Sequence, residues 1–167
     1  FRFLVERHAR VLFGTAYLMT RDRGLAEDMV QETFLLAWRS LRSFRTGASF
    51  KPWVVKILVN RILEERRKRR APQAQALQGK AELPGADDPE QDALSQEERR
   101  RVRRAIDTLG QEARDAILLR YHSELTVPEI ARALGWREGT VKSRLHRAQN
   151  RLRELLDEEP AAKAVQE

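Results

Sequence analysis

Apolar side chains recur at helical spacing over residues 3–18, 25–41 and 50–62, and no strand-like alternation of comparable length competes with them. A chain patterned in this way buries its apolar stripes by packing helix on helix, so residues 1–70 are expected to form a helical bundle. The first turn falls at residues 20–24. The next connection, 45–49, carries Gly47 and small polar residues. Pro52 then stands where a first helical turn tolerates it, because its missing N–H would be unpaired there in any case.

Residues 71–93 change character. Pro72, Gly79, Pro84, Gly85 and Pro89 interrupt a Gln- and Ala-rich, then acidic, stretch with few large apolar side chains, the composition of a flexible linker. Helical character resumes at Ser95, where Ser95-Gln96-Glu97-Glu98 has the form of a capping box. The expected organisation is all-α, with small helical domains at 1–70 and 95–157, a flexible acidic linker at 71–94 and a short frayed tail at 158–167. No internal repeat is present.

Lysine and arginine total 32 against 25 acidic residues, a formal charge of +7, which favours a polyanionic partner, nucleic acid first. With no cysteine, a disulfide framework, a thiolate zinc site and a cysteine nucleophile are excluded, and a reducing cytosol is the compatible setting. No apolar run approaches the roughly 20 residues that span a bilayer, and the first residues lack a signal-peptide pattern. A soluble, cytoplasmic protein without membrane insertion is expected.

The strongest local signal lies in residues 125–156. Thr126-Val127-Pro128-Glu129 is a second capping box with proline in the first turn. Ile130, Ala131 and Leu134 supply the buried side of a short helix that Gly135 ends. After a turn at 136–139, Val141, Leu145, Leu152 and Leu155 fall on one face of a longer helix. A short capped helix, a glycine turn and a longer basic helix make a helix-turn-helix, whose second helix enters the major groove. Lys142, Ser143, His146, Arg147 and Asn150 lie away from the leucine stripe and so face phosphates and bases. Lys142, Arg144, Arg147, Arg151 and Arg153 follow the turn with no acidic residue before Glu154, which puts cationic charge where the motif needs it.

The stretch Gly139-Thr140-Val141-Lys142-Ser143-Arg144-Leu145-His146-Arg147-Ala148 resembles region 4 of bacterial sigma factors, the domain that reads the minus 35 promoter element. The resemblance implies that Ser143, His146 and Arg147 face bases while Gly139, Thr140, Lys142 and Arg144 hold backbone phosphates. Ala26-Glu27-Asp28-Met29-Val30-Gln31-Glu32-Thr33-Phe34 looks like region 2.2, which docks on the clamp of the polymerase largest subunit. Asp28 and Glu32 stand one turn apart with Gln31 beside them, a polar edge opposite Val30, Phe34, Ala37 and Leu41.

Residues 44–70 resemble regions 2.3 and 2.4, which capture the unpaired strand of the minus 10 element. Unstacked bases need π faces to stack on and cations for their phosphates. Phe44, Phe50 and Trp53 supply the first, and Lys56, Arg61, Arg66, Arg67, Lys68, Arg69 and Arg70 the second. Asn60, a mediocre helix former with an amide that both donates and accepts, stands where the family's asparagine helps hold a flipped base. Phe44, Trp53, Lys56, Asn60 and Arg67 are the candidate minus 10 residues. Phe34, Trp38 and Trp53 are expected to be mainly packing residues.

The resemblance covers residues 3–70 and 95–156, with no region 3 between them, the two-module pattern of the extracytoplasmic-function group. It implies core RNA polymerase (largest-subunit clamp and flap), promoter DNA and an anti-sigma factor as partners. It also implies that the acidic linker, with Glu82, Asp87, Asp88, Glu90 and Asp92, threads through the polymerase. No cofactor, metal, small-molecule substrate or enzymatic activity is expected, since there is no phosphate-cradling glycine loop and no H-E-x-x-H, and His8, His122 and His146 lie far apart in sequence. The rival reading is a stand-alone helix-turn-helix regulator whose first domain senses a ligand or dimerises.

Overall fold

A computed structural model of the chain describes residues 1–45, 47–70 and 93–163. Among these residues the elements are α1 (Arg2–Thr20), α2 (Arg23–Ser40), a 3₁₀ turn (Leu41–Ser43), α3 (Phe50–Arg70), α4 (Ala93–Asp107), α5 (Gln111–Tyr121), α6 (Val127–Leu134) and α7 (Glu138–Lys163). The linker residues discussed above, Pro72 to Asp92, lie outside the described residues, as do 164–167.

Helix ends follow local chemistry. Arg21 ends α1 in the left-handed region (φ 59), with its N–H donating to the Tyr17 carbonyl at 2.8 Å. Asp22 then caps α2, its Oδ1 accepting from the Leu25 N–H at 3.0 Å. The Thr126–Glu129 capping box forms in both directions: Thr126 N–H donates to Glu129 Oε2 at 2.8 Å and Glu129 N–H to Thr126 Oγ1 at 3.4 Å. Gly135 takes the left-handed conformation that ends α6 (φ 69). One expectation is corrected. Because α4 already begins at Ala93, Ser95 lies within its first turn rather than before it, and cannot act as its N-cap.

In the first half, α2 and α3 pack with α1 around Leu12, Ala16, Met29, Val30, Ala37, Val54, Val55, Leu58, Val59 and Ile62. In the second, α5 and α6 pack with α7 around Ala116, Leu119, Leu125, Ile130, Val141 and Leu145. The halves also close on each other. α1 packs against α5 and α3 against α6, so the buried apolar residues of both form one continuous cluster.

Most polar groups buried along this seam are matched, although the buried Nε of Arg21 has no hydrogen-bond partner among the described residues. Thr15 and Ser123, both 0% exposed, meet hydroxyl to hydroxyl at 2.9 Å. Thr15 Oγ1 donates its one proton to the Val11 carbonyl at 2.7 Å, so Ser123 is the donor between them. Arg66 grips Asp115 with both terminal nitrogens, Nη2 to Oδ1 at 3.1 Å, and Nη2 also donates to the Met19 carbonyl at 2.6 Å. Asp115 is only 3% exposed. At the rim, Lys51 pairs with Glu124 at 2.6 Å, Arg21 with Asp107, and Arg70 donates to Gln111 at 2.6 Å. His122 lies over Gly14, where a Cβ would stand 2.7 Å from ring carbon Cε1.

Candidate nucleic-acid interface

On α7, residues Lys142, Ser143, His146 and Arg147 share one exposed face with Gly139, while Val141, Leu145 and Ala148 are buried on the other. Thr140 is half-buried and its carbonyl accepts from Ser143 Oγ at 3.1 Å. Arg147 Nε donates to the Ser143 carbonyl at 3.3 Å, laying its stem along the helix.

Arg144 differs from its neighbours. Its guanidinium carbon stands 4.2 Å from the centre of the Trp136 ring, and the group is ion-paired with Glu112 of α5. In this state it braces the helix-turn-helix turn against the preceding helix instead of facing solvent.

His146 stands at the end of a short polar chain on the same helix. Arg153 Nη1 donates to Asn150 Oδ1 at 3.3 Å, and Asn150 Nδ2 lies 3.2 Å from His146 Nε2. A guanidinium only donates, so the amide oxygen is turned to Arg153 and the amide N–H to His146. Nε2 is therefore the acceptor and the neutral ring carries its proton on Nδ1, which presents a donor outward.

On α3, Trp53, Lys56, Asn60 and Arg67 fall at i, i+3, i+7 and i+14, one stripe opposite Val54, Val55, Leu58, Val59 and Ile62. Lys56, Asn60 and Arg67 are exposed. Phe44 joins the stripe from the preceding loop, half-buried, its ring 4.9 Å from Trp53 and 5.8 Å from Phe50. The remaining cations of α3 are held elsewhere. Arg61 binds Glu32 at 2.6 Å and also Glu64. Arg66 is in the seam, Arg69 pairs with Glu65 at 2.9 Å, and Lys68 with Glu64 at 3.4 Å. Lys56 and Arg67 have no ion pair among the described residues. The Arg61 guanidinium pulls the Glu64 carboxyl below the usual carboxylate range.

One member of the polar edge of α2 is paired with α3 at the surface. Asp28 and Gln31 are exposed, whereas Glu32 is taken by Arg61. Trp38, expected as a packing residue, is 59% exposed and touches the Phe1 ring edge-on at 5.1 Å. It lies two turns beyond Gln31 with Leu35, also 59% exposed, between them, so its face is turned away from the bundle axis. Phe34 and Trp53 are half-buried within the same aromatic group, as packing requires.

Sequence reasoning missed the residues of the seam. Arg66 carried a signal: it follows Ile62 by four residues, so it lies on the buried stripe of α3. Asp115 carried another, directly before the apolar Ala116-Ile117-Leu118-Leu119.

An all-helical protein with a capped helix-turn-helix and an exposed cationic recognition face falls in the class of helix-turn-helix DNA-binding proteins. Comparison with known proteins narrows the class. Residues 4–71 match Sigma-70 region 2 and residues 99–152 match Sigma-70 region 4. The chain is 34% identical over 158 residues to the ECF RNA polymerase sigma factor SigL of Mycobacterium tuberculosis, covering 94% of this chain and 89% of SigL. It is 33% identical over 155 residues to the ECF sigma factor SigE of Mycolicibacterium smegmatis, covering 92% of this chain but only 60% of SigE. Among solved structures, the sigma factor RpoE of Bartonella quintana in complex with the anti-sigma factor NepR matches with a TM-score of 0.72 and 29% identity, over 94% of this chain and 98% of that one. CnrH in complex with the cytosolic domain of CnrY matches with a TM-score of 0.63 and 27% identity, over 92% and 85%. The chain belongs to the sigma-70 family, among its extracytoplasmic-function RNA polymerase sigma factors. Among the described residues no helix is long and apolar enough to cross a membrane.

Proposed function

We propose that the protein directs core RNA polymerase to promoters, with α7 reading the minus 35 element and α3 capturing the opened minus 10 strand. The observation that carries this reading is the pair of exposed stripes on separate halves of a sigma-family chain: Lys142, Ser143, His146 and Arg147 on α7, and Lys56, Asn60 and Arg67 with the half-buried Trp53 on α3. Lys142, Gly139 and Thr140 fit phosphate contacts at the start of the recognition helix. Ser143, His146 and Arg147 fit base edges. Arg144 acts by holding the turn, and reaches phosphate only on leaving Trp136 and Glu112.

At the minus 10 element, Phe44 and Trp53 offer ring faces for an unstacked base, Asn60 offers an exposed amide, and Lys56 and Arg67 offer cations that have no ion pair among the described residues. Asp28 and Gln31 face the polymerase clamp directly, while Glu32 does so only by sharing or releasing Arg61. The protein works by binding rather than by catalysis, in the cytoplasm with its polymerase. An anti-sigma factor is its expected regulator, since the sigma factor RpoE of Bartonella quintana, whose structure it resembles, is seen in complex with the anti-sigma factor NepR. Run-off transcription with core polymerase and a promoter library tests the reading. Transcripts starting downstream of a shared pair of motifs are expected, and transcription unchanged by adding the protein would sink it.

A further inference from the structure

We propose that Arg61 of α3 is a positioning residue for polymerase docking: it holds the Glu32 carboxylate of α2 by one oxygen and leaves the other presented to a cation on the polymerase. This rests on the promoter-reading function proposed above. It deepens that function by naming the residue that sets the third member of the docking edge.

The three members of the edge are not equivalent. Asp28 and Gln31 are exposed, whereas Glu32 is half-buried and its Oε1 accepts from Arg61 Nη2 at 2.6 Å. Its Oε2 meets no protein partner among the described residues and stays open to solvent. A carboxylate carries about four lone-pair sites on its two oxygens, so a second cation can bind without displacing Arg61. The carboxylate is therefore shared on docking rather than exchanged.

Arg61 itself is tied down. It follows Asn60 of the reading stripe, and one helical step of about 100° turns it toward α2. Its other terminal nitrogen, Nη1, binds Glu64 one turn along α3, and Glu64 also meets Lys68 at 3.4 Å. The order Glu32, Arg61, Glu64, Lys68 alternates in sign and joins the two helices. Only 24% of the Arg61 side chain is exposed, and its Nε is buried with no hydrogen-bond partner among the described residues. Turning off either carboxylate would strand a further donor of the same group. The Glu32 hydrogen bond is the largest influence holding Arg61 charged above its ordinary range.

Two effects of Arg61 oppose each other on docking. Its charge weakens the pull of Glu32 on an incoming cation, and its hold removes the loss of side-chain freedom that docking would otherwise impose. Glu32 keeps 40% of its side chain exposed, so solvent and salt screen the first effect, and the second is independent of screening. Without Arg61, repulsion from Asp28 one turn earlier would also turn the Glu32 carboxylate away from the edge. Positioning therefore outweighs competition.

Binding of the full chain to core polymerase, measured without DNA by competition against a fluorescently labelled copy, tests this. Leaving DNA out removes any contribution from the neighbouring Asn60. Arg61→Met keeps most of the stem and removes the guanidinium. It should weaken binding about three- to tenfold, the equivalent of ordering one rotamer-rich side chain. Arg61→Lys, which can meet one carboxylate but lacks the two-pronged fork, should lose less. Arg61→Met added to Glu32→Ala should change affinity less than about twofold, because no carboxylate remains to be positioned. A purely structural role would give the same loss in both backgrounds and would overturn the proposal. So would an Arg61→Met protein that binds as well as the parent, or tighter, since Arg61 would then be idle or a competitor for Glu32. An unsubstituted chain that does not bind core polymerase would sink the promoter-reading function, and the positioning role with it.

Discussion

Arg66 and Arg67 are neighbours on α3, and the two regions they belong to use the same residue types in opposite ways. In the seam, charge is desolvated and matched: Arg66 has Asp115 and the Met19 carbonyl, and Thr15 has Ser123 and the Val11 carbonyl. On the proposed reading stripes, charge is exposed and, among the described residues, left without an acidic partner, as at Lys56, Lys142 and Arg67, whose Nε donates only to the Leu63 carbonyl of its own helix at 3.3 Å. A buried cation must find its partner within the fold, whereas a phosphate-binding cation is useful only if the fold leaves it unpaired. Position on the helix therefore assigns the role, with the 100° step between consecutive residues separating seam residue from reader. The remaining basic residues of α3 show the intermediate case, paired on the surface with Glu32, Glu64 and Glu65, where such pairs add little stability.

This contrast predicts a double dissociation. The largest effect should come from Asp115→Ala, which strands Arg66 in the seam. A loss of about 3–5 kcal/mol is expected, measured by urea unfolding, with Arg66→Met in the same chain recovering most of it. A cost below about 1 kcal/mol for the single change would mean that the pair is solvated and the contrast is false.

On the reading side, His146→Ala should leave unfolding within about 0.5 kcal/mol of the parent and relax discrimination at one minus 35 base pair by about 1–3 kcal/mol. The Arg153–Asn150–His146 chain sharpens that expectation. Nitrogen NMR of His146 in the folded protein should show the Nδ1–H tautomer, and the preferred base should offer an acceptor in the major groove. Finding the Nε2–H form would break the inferred relay.

A smaller change should follow Lys142→Ala. Polymerase-dependent promoter binding should weaken similarly across sequences, and the salt dependence should lose about one unit of slope, with thermal stability unchanged. A sequence-selective loss would move Lys142 from phosphate to base contact.

The smallest effect is that of pH on the seam. Burial, the largest influence, pushes the His122 ring below its ordinary value of 6.5. A nearby Lys51 acts the same way, while a hydrogen bond with the Val11 backbone and the Glu124 charge oppose it. His8, on α1, is lowered by burial, Arg7 and Lys51. Glu124 itself is held below the usual carboxylate range by Lys51. For a histidine lowered on folding, the unfolded or opened form binds more protons below the ordinary value, so stability is present above about 6.5 and is lost as pH falls from there. Stability to urea should therefore fall on acidification between about pH 7.5 and 5.5, and His122→Gln should remove most of that response. A urea midpoint unaffected by pH would show that His122 stays solvated.

Much of the reading side was legible from the chain. The Thr126–Glu129 capping box and Gly135 mark α6 because capping and left-handed glycine are local chemistry. The face of Lys142, Ser143, His146 and Arg147 follows from 3.6-residue periodicity against Val141 and Leu145. The stripe of Lys56, Asn60 and Arg67 follows in the same way. What failed were statements about partners. Glu32 was read as part of an exposed polar edge and Trp38 as a packing residue, yet Arg61 pairs with the first, which keeps 40% of its side chain exposed, and the second is 59% exposed. Arg144 belongs to the same group, since nothing local says that Glu112, thirty-two residues earlier, would take it.

Sequence alone determined the all-helical class, the two-unit order of the helices, the helix-turn-helix and the sides of α3 and α7 that carry readable chemistry. All of these rest on interactions within one or two turns of chain. Tertiary structure alone decided that Arg66 meets Asp115, that Ser123 meets Thr15 across 108 positions, and that Gly14 makes room for His122. Those partners lie on separate halves, and only packing brings them within the few ångströms where desolvation, hydrogen bonding and charge act.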